Sequence, residues 1–356
     1  MERFFDLSIG LASLDDRYMR LALRLAKKGL GRTSPNPAVG AVLVGGDKIL
    51  STGWHKRAGH PHAETEALSD LPNSGLAEGA TLYVTLEPCS TYGRTPPCTD
   101  AIIAAKIRRV VVGSMDVNPK HQGRGIEQLR NAGIEVKTGV LEVECALLNV
   151  GFNKWVIEGI PWVIAKIAQS LDGHTTRPPN ESQWLSNSRS LRLVHRLRST
   201  ADAILVGAET VRRDDPTLTV RPNVTGLQPW RVVVTRTGNL PAHAKLLTDE
   251  NRNRTIIYRE AAWLDILKDL GNRGVTRLLV EGGGDVLGQL RDQSLIDEVW
   301  CFITPLLTGG DKPSFGGTGI KRLEEASRLD RIRYKRLGND IVVIGHVCKN
   351  RSPAKG

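Results

Sequence analysis

The sequence predicts an α/β protein made of two domains. Its 356 residues exceed the roughly 100 to 200 residues of a typical single domain. Amphipathic helical segments alternate with short apolar segments along the chain, the pattern of helices packed on a sheet. The alternation restarts after Pro161 with the apolar segment WVIAKIA. We therefore predict a first domain over residues 1–157 and a second domain over residues 158–350.

The first domain begins with a predicted amphipathic helix. Apolar residues between Tyr18 and Ala26 recur at helical spacing and are followed by Gly29. Residues 39–44 and 49–54 flank a glycine-containing turn and predict a β-hairpin. The remaining predicted elements are, in chain order, a helix at 62–68, a strand at 82–86, a helix at 98–106, a strand at 110–113, a helix and a short strand within 125–138, and a helix at 142–150.

The second domain is predicted to contain a mostly parallel sheet. Its strands alternate with helical segments, and such connections join parallel strands. The predicted strands lie at residues 162–168, 203–206, 231–234, 255–258, 277–280 and 298–303. The predicted helices lie near residues 188–198 and 261–270.

A glycine-rich turn at the end of one predicted strand is a candidate phosphate-binding site. The sequence VEGGG runs from Val280 to Gly284 and opens a helix, so backbone amides could approach the phosphate of a dinucleotide. It is not the GxGxxG pattern of a Rossmann fold, and alone it fits a simple tight turn equally well.

The charge of the chain narrows the class of partner. Lysine and arginine total 49 against 38 acidic residues, a net charge of +11. Such a charge suits nucleic acid, a membrane surface or a phosphorylated small molecule. The basic residues are spread along the chain without a run of five like charges, which argues against a nucleic-acid-binding tail. We therefore favour a phosphorylated small-molecule ligand, with neither nucleic acid nor membrane as partner.

Cysteine usage and the apolar segments predict a cytoplasmic protein. No apolar segment approaches the roughly 18 residues that a membrane span needs. The first residues, MERFFDLSIG, lack the basic and then apolar pattern of a secretory signal. The five cysteines are odd in number and widely spaced, so a disulfide framework is not expected.

Three residues of the first domain form a candidate zinc site. His62 begins a predicted helix, Cys89 follows a predicted strand, and Cys98 comes nine residues later. One imidazole and two thiolates suit Zn²⁺, and three protein ligands leave the fourth tetrahedral position to water. Zinc lowers the pKa of that water to about 7. Glu64 could take the proton of the water and deliver it to a ring nitrogen and to leaving ammonia.

Each of these residues alone has an ordinary structural interpretation. A single histidine fits a capping or surface role, and isolated cysteines are usually small core residues. Their combination in this strand and helix context is instead typical of nucleobase deaminases. Cys98 follows two prolines and should begin a helix, where the positive end of the helix dipole favours its thiolate.

Seven segments, in one order, resemble the family of bifunctional riboflavin-biosynthesis deaminase–reductases. The resemblance extends from about residue 15 to about residue 347. It includes the eight-residue spacing between Cys89 and Cys98, which differs from the shorter spacing common among other deaminases. The segments are TSPNPAVGAVLV, GWHKRAGHPHAETEAL, TLEPCSTYGRTPPCTDAII, AQSLDG, ESQW, AILVGAETVRRDDPTLTVR and VEGGG.

The resemblance implies two consecutive reactions on one phosphorylated pyrimidine. A zinc domain of the cytidine-deaminase type would deaminate 2,5-diamino-6-(5-phosphoribosylamino)pyrimidin-4(3H)-one. A second domain with a dihydrofolate-reductase-like fold would use NADPH to reduce the ribosyl side chain to ribityl. A homo-oligomer, dimer or tetramer, is expected by analogy with the family.

The resemblance also assigns site residues. It makes His62, Cys89 and Cys98 the zinc ligands, Glu64 the proton shuttle and Asn36 a pyrimidine contact. The implied cofactor contacts are Ala168, Trp184, Thr210, Asp214, Gly283, Gly284, Asp285 and Gln289. The implied substrate contacts are Ser182, Arg198, Leu218, Arg221 and Glu281.

Two hypotheses about the reductase half come from the chemistry of its residues. Lys166, Asp172 and Asp215 are ionisable and lie beside matched motifs, and we expect Lys166 or a nearby acid to assist proton transfer as the glycosylamine opens to an imine. Arg198 and Arg221 could hold a phosphate by paired hydrogen bonds. The alternative for these arginines is a solvated helix face and strand edge.

The sequence departs from the family at Thr91, where a histidine is usual. A histidine there could contact the substrate phosphate, so Thr91 could weaken binding, while Arg94 in the same loop still offers a cation. Two alternative functions stay open at this point. One is a zinc-dependent nucleic-acid base deaminase with an accessory domain, and the other is a non-catalytic scaffold that retains a structural zinc.

Overall fold

The structure is a computed structural model that describes residues 13–92, 96–175, 185–221 and 228–348. The chain divides into two units, Met1–Ile157 and Glu158–Gly356, each with its own sheet and its own apolar core. Within the described ranges, no helix is both long enough and apolar enough to cross a membrane.

The first unit is built on a five-stranded sheet with helices on both faces. In chain order its elements are α1 Leu14–Ala26, β1 Gly40–Gly45, β2 Lys48–Trp54, α2 Ala63–Ser69, β3 Thr81–Leu86, α3 Cys98–Ala104, β4 Arg109–Ser114, α4 Arg124–Asn131, β5 Glu135–Lys137, α5 Glu142–Leu148 and α6 Val150–Glu158.

The strand order of this sheet is β2-β1-β3-β4-β5. Strand β1 is antiparallel to both neighbours, and β3, β4 and β5 are parallel. Alternate residues of β1 enter different cores: Ala41 and Leu43 pack on the side of α2 and α3, and Val42 and Val44 on the side of α1. Because both faces are covered, the central strands are apolar throughout, as the sequence suggested.

An ion-pair network fixes α1 on this sheet. The Asp15 carboxylate accepts hydrogen bonds from Arg109 Nη1 at 2.9 Å and from Lys137 Nζ at 2.7 Å. The bond from Arg109 is the main cause that lowers the pKa of Asp15. At the start of the helix, Ser13 Oγ accepts from the backbone N–H of Asp16 at 3.1 Å and caps the first turn.

The second unit is built on an eight-stranded sheet. In chain order its elements are β6 Trp162–Ser170, α7 Ser188–Arg198, β7 Ala203–Gly207, α8 Ala208–Asp214, β8 Trp230–Thr235, α9 Lys245–Thr248, β9 Thr255–Arg259, α10 Trp263–Asn272, β10 Arg277–Val280, α11 Gly284–Asp292, β11 Glu298–Thr304, β12 Leu329–Leu337 and β13 Asp340–Val347.

The strand order is β12-β13-β11-β6-β10-β7-β8-β9, with the strands from β11 to β9 parallel. This confirms the predicted mostly parallel sheet. The hairpin β12–β13 adds two antiparallel strands that the sequence analysis missed. Strand β12 is an exposed edge strand that alternates charged and apolar side chains, so it lacks the apolar signal of the central strands. The predicted helix at residues 142–150 corresponds to α5, and a second helix, α6, follows it.

Candidate active sites

The candidate metal ligands come from three elements of the first unit. His62 immediately precedes α2, Cys89 follows β3, and Cys98 is the first residue of α3. Their ligand atoms all lie within 4.8 Å of one another. His62 Nδ1 is 3.2 Å from Cys98 Sγ and 3.5 Å from Cys89 Sγ. The fold therefore brings together residues that are up to 36 positions apart.

These separations fit a tetrahedral Zn²⁺ site. Zn–N and Zn–S bonds of about 2.0 and 2.3 Å at tetrahedral angles place a nitrogen and a sulfur roughly 3.6 Å apart. Among the residues that the structure describes, no further histidine, cysteine or acidic residue joins the group. Three ligands leave one coordination position for water, which is the arrangement of catalytic rather than structural zinc.

Glu64 lies beside the three ligands, on the first turn of α2, and is only 3% exposed. Burial raises the pKa of Glu64 to about 7, and the negative charge of Cys89 acts in the same direction. The charge of a bound metal ion would act in the opposite direction, towards the carboxylate. A buried carboxyl group beside the three ligands can accept a proton from a water molecule and donate it again, as a general acid–base catalyst must.

The two thiols share a hydrogen bond, and the predicted thiolate at Cys98 stays a prediction. A hydrogen bond from Cys98 is the main cause that lowers the pKa of Cys89. The same bond, together with burial, raises the pKa of Cys98. The backbone N–H of Cys98 donates to Cys89 Sγ at 3.3 Å, so the start of α3 stabilises negative charge on Cys89 instead. A coordinating metal removes the proton of a thiol outright, so both cysteines remain suitable ligands.

Asn36, the predicted pyrimidine contact, is oriented by His55. His55 Nδ1 lies 3.0 Å from the Pro61 carbonyl oxygen, which can only accept, so Nδ1 carries the ring proton. Burial lowers the pKa of His55 and favours its neutral form, in which Nε2 is an acceptor. Nε2 lies 3.2 Å from Asn36 Nδ2. The amide therefore donates to His55, and Asn36 Oδ1 is available to accept from a ligand.

Glu87 lies two residues before Cys89, and its carboxylate forms hydrogen bonds with the segment between β4 and α4. Its Oε2 atom accepts hydrogen bonds from the backbone N–H groups of Asp116 at 3.2 Å and Gly123 at 3.0 Å. Its Oε1 atom accepts from the N–H of Gly125 at 3.1 Å. A Cβ atom on Gly125 would lie 2.1 Å from the Pro88 carbonyl oxygen, so only glycine allows this close approach.

The second unit contains a cavity of about 1140 Å³, bordered by residues at the carboxyl ends of β7, β8 and β10. Such positions are the usual ligand sites of parallel sheets. The predicted residues that line it are Lys166, Ala168, Arg198, Thr210, Asp214, Leu218, Arg221, Glu281, Gly283, Gly284, Asp285 and Gln289. The predicted residues Ser182 and Trp184, like Arg94 of the first unit, lie outside the described residues.

A buried ion-pair network occupies one wall of this cavity. Arg198 Nε and Nη2 donate to the two carboxylate oxygens of Glu281 at 2.6 and 3.0 Å. Lys166 Nζ lies 3.8 Å from Glu281 Oε2. Burial alone would raise the pKa of Glu281, but the charges of Arg198 and Lys166 outweigh it and lower the pKa to about 2. Two of the Arg198 donors are thus engaged by Glu281, and the predicted contact of Arg198 with a phosphate stays a prediction.

The glycine-rich turn forms another part of the cavity wall. A Cβ atom on Gly284, at the start of α11, would lie 2.3 Å from the Pro313 carbonyl oxygen, so the turn needs glycine there. A Cβ atom on Gly283 would meet nothing within 4 Å. Because Gly283 lines the cavity, a ligand can approach the backbone closely at this residue.

The segment after α8 has an unusual backbone where it lines the cavity. Asp215 has a φ of 39° and Leu218 a φ of 50°, values in the left-handed region that non-glycine residues rarely adopt. Such residues each cost about 1–3 kcal/mol and tend to cluster at ligand sites. Leu218 is 2% exposed, and Asp215 Oδ1 accepts from the Lys245 N–H at 2.8 Å, so packing and hydrogen bonding hold this conformation.

Comparisons with known proteins match both units. Residues 12–114 match the family described as the cytidine and deoxycytidylate deaminase zinc-binding region, and residues 161–343 match the RibD C-terminal domain. The riboflavin biosynthesis protein RibD of Aquifex aeolicus is 41% identical and aligns over 94% of this chain and 98% of that protein. The chain belongs to the RibD family. It is therefore a bifunctional riboflavin-biosynthesis enzyme with a zinc-binding deaminase domain and a reductase domain.

Other members of the RibD family support the same assignment. RibD of Escherichia coli is 37% identical over 92% of this chain and 98% of its own length. The Acinetobacter baumannii RibD structure has a TM-score of 0.85 and 35% identity, covering 94% of this chain and 99% of that one. A Thermotoga maritima structure described as diaminohydroxyphosphoribosylaminopyrimidine deaminase/5-amino-6-(5-phosphoribosylamino)uracil reductase has a TM-score of 0.84, with the same identity and coverage.

These matches confirm the predicted fold of each unit, cytidine-deaminase-like in the first and dihydrofolate-reductase-like in the second. They also favour the bifunctional RibD activity over the alternative of a nucleic-acid base deaminase. Two residues that orient the site, His55 and Glu87, could not be found from the sequence. Each acts through a contact with a residue distant in sequence, and no spacing rule signals such a contact.

Proposed function

We propose that residues 1–157 hydrolyse 2,5-diamino-6-(5-phosphoribosylamino)pyrimidin-4(3H)-one to release ammonia. Residues 158–350 then reduce the ribosyl side chain with NADPH and give 5-amino-6-(5-phosphoribitylamino)uracil. The observation that carries the first step is the group of His62, Cys89 and Cys98 beside the buried carboxyl of Glu64. The large cavity of the second unit supports the second step.

The deaminase step divides between the metal and this chain's own residues. His62, Cys89 and Cys98 would hold Zn²⁺, which when bound would supply a water molecule of lowered pKa as the nucleophile. Glu64 accepts the proton of that water, passes it to the ring nitrogen and then assists protonation of the amino group that leaves as ammonia. Asn36, fixed by His55, accepts a hydrogen bond from the pyrimidine and orients the reacting carbon.

The reductase cavity provides the contacts that NADPH needs. The backbone at Gly283 is open to a phosphate, and Gly284, Asp285 and Gln289 follow on α11 and line the same cavity. Ala168, Thr210 and Asp214 line the same cavity from β6 and α8. When bound there, NADPH supplies the hydride that the sugar carbon C1′ accepts.

Lys166 is the proposed proton donor for opening of the sugar ring. Its ammonium group lies in the cavity wall beside Glu281, which Arg198 holds as a carboxylate. A proton from Lys166 reaches the ring oxygen as the C1′–O4′ bond breaks, and the nitrogen lone pair forms a protonated C1′ imine, which the hydride then reduces to the amine. Arg221 and Leu218 then border the substrate part of the cavity, with Arg221 offering a cation to the phosphate.

A two-stage assay on the intact chain tests this function. Ammonia release from the phosphoribosylaminopyrimidine is measured first, and NADPH oxidation is then measured on the deaminated product. We expect both signals, in that order. Ammonia without NADPH oxidation would contradict the reductase assignment, and ammonia release only from an RNA oligonucleotide would contradict the deaminase assignment.

We further propose that the enzyme works in the cytoplasm as a homo-oligomer. The described cysteines are all free thiols, which suits a reducing compartment. The oligomer, a dimer or tetramer, is supported by analogy with the family alone. Sedimentation velocity at micromolar concentration tests it, and a purely monomeric profile would contradict it.

A further inference from the structure

Thr91 lies in the loop between the two candidate zinc cysteines, at the position where the resembling family usually has histidine. In the structure this loop nevertheless has an imidazole beside it. Thr91 Oγ1 lies 3.2 Å from Nδ1 of His121, a residue 30 positions further along the chain. Both side chains are partly exposed, so the pair lies at the surface of the first unit rather than in its core.

The position of His121 relative to the zinc ligands is fixed by several contacts. His121 belongs to the segment that Glu87 holds by three backbone hydrogen bonds, and Glu87 comes two residues before the ligand Cys89. The turn that contains His121 is closed by its own N–H, which donates to the Asn118 carbonyl at 2.8 Å. Asn118 in turn donates its N–H to Asp116 Oδ1 at 2.8 Å.

Two basic residues, Lys120 and Arg124, lie near His121 in sequence, and both are exposed. The buried carboxyl group of Asp116 also lies near His121. The Thr91 hydroxyl can donate to or accept from Nδ1, so the contact persists in either protonation state of the ring. In both states Nε2 on the opposite side of the ring can present an N–H group to a ligand oxygen.

We propose that His121 is a substrate-binding residue of the deaminase site, which contacts the phosphate of the pyrimidine nucleotide. Because Thr91 has no imidazole, His121 supplies one from another segment of the chain. Thr91 is then the positioning residue, whose hydroxyl holds the His121 ring. This inference rests on the proposed function of the first unit. It assigns His121 to phosphate binding, not to the chemical step.

The test compares wild type with His121→Val on two substrates. One is the phosphoribosylaminopyrimidine, and the other is the same compound without its phosphate. Loss of a hydrogen bond to a charged group is expected to raise KM for the phosphorylated substrate about 10- to 100-fold, with kcat little changed. For the dephosphorylated compound, wild type and variant should have the same KM. Arg20→Gln, on the exposed side of α1, serves as the control for loss of a basic residue.

A relocation experiment sharpens the test. Thr91→His combined with His121→Val returns the imidazole to the loop between the cysteines. We expect the double variant to recover most of the wild-type KM for the phosphorylated substrate. A double variant that binds as weakly as His121→Val would contradict the proposal.

Zinc content and thermal unfolding of each variant separate a binding role from a structural one. Unchanged KM in a folded, zinc-loaded His121→Val protein would overturn the inference, as would an equal rise of KM for both substrates. If the valine variant does not fold, His121→Gln carries the same comparison, with a smaller expected rise. A wild-type protein that releases no ammonia would instead refute the proposed function itself, so the two failures are distinguishable.

Discussion

Replacement of Glu281 by glutamine tests the buried ion-pair network of the reductase cavity. The Glu281 side chain is 8% exposed and receives two hydrogen bonds from Arg198, with Lys166 close by. The shift of its pKa from 4.5 to about 2 corresponds to about 3 kcal/mol of charge-dependent stability. Glu281→Gln leaves two buried cations without their carboxylate, for which the usual cost is about 3–5 kcal/mol. We therefore expect the free energy of unfolding to fall by about 3–5 kcal/mol at pH 7.

The pH dependence of the effect follows from the sign of the pKa shift. A carboxylate whose pKa is lowered by folding stabilises the native state above its ordinary pKa, and that stability is lost as the pH falls. For Glu281 the loss should occur between about pH 4.5 and about pH 2. The difference in stability between wild type and Glu281→Gln should therefore shrink below pH 4.5.

Urea unfolding of the intact chain measures this difference in the free energy of unfolding. Hydrogen exchange of peptides from β10 and α7 then assigns the difference to the second unit. Glu209→Gln is the matched control, because Glu209 pairs with Arg212 at an exposed position where one ion pair contributes about 1 kcal/mol or less. If Glu281→Gln lowers the free energy of unfolding at pH 7 no more than Glu209→Gln does, the buried ion pairs do not stabilise the second unit as predicted.

Three further predictions concern the deaminase unit. Cys89→Ser should abolish stoichiometric zinc binding, which elemental analysis checks; full zinc occupancy would show that Cys89 is not a ligand. Gly125→Ala should destabilise the unit by about 2 kcal/mol or more in urea unfolding, because its Cβ would lie 2.1 Å from the Pro88 carbonyl oxygen. His55→Phe should lower the kcat/KM of ammonia release about tenfold by freeing the amide of Asn36; an unchanged value would exclude this orienting role.

Much of the fold could be predicted because local pattern and tertiary environment agree. The central strands are covered on both faces and are therefore apolar throughout, and α1 and α7 carry one apolar stripe each. Strand β12 was missed because it is exposed at the sheet edge and its charged side chains alternate with apolar ones. Its pairing with β13 depends on backbone hydrogen bonds rather than on a buried face, so its composition resembles that of a loop.

The zinc site was predictable because its chemistry restricts residue types to histidine and cysteine in recognisable contexts. The residues that position it were not. Glu87 accepts hydrogen bonds from backbone groups 29 to 38 positions away, and any residue can donate such a bond. His55 and His121 contact Asn36 and Thr91 only because the fold brings them together. Cys98 donates a hydrogen bond to Cys89, a contact that the position of Cys98 at a helix start does not reveal.

Ammonia release by Glu64→Gln tests the proposed deaminase mechanism most directly, and the reductase step of the same protein is the internal control. Glutamine keeps the shape of the buried side chain but cannot carry a proton, and loss of general acid–base catalysis typically costs about 10²- to 10⁴-fold in rate. We predict that Glu64→Gln lowers the rate of ammonia release about 10²- to 10⁴-fold. Its zinc content should be unchanged, and it should oxidise NADPH normally when the deaminated product is supplied. Ammonia release at the wild-type rate from the zinc-loaded variant would contradict the assignment of Glu64 and the mechanism built on it.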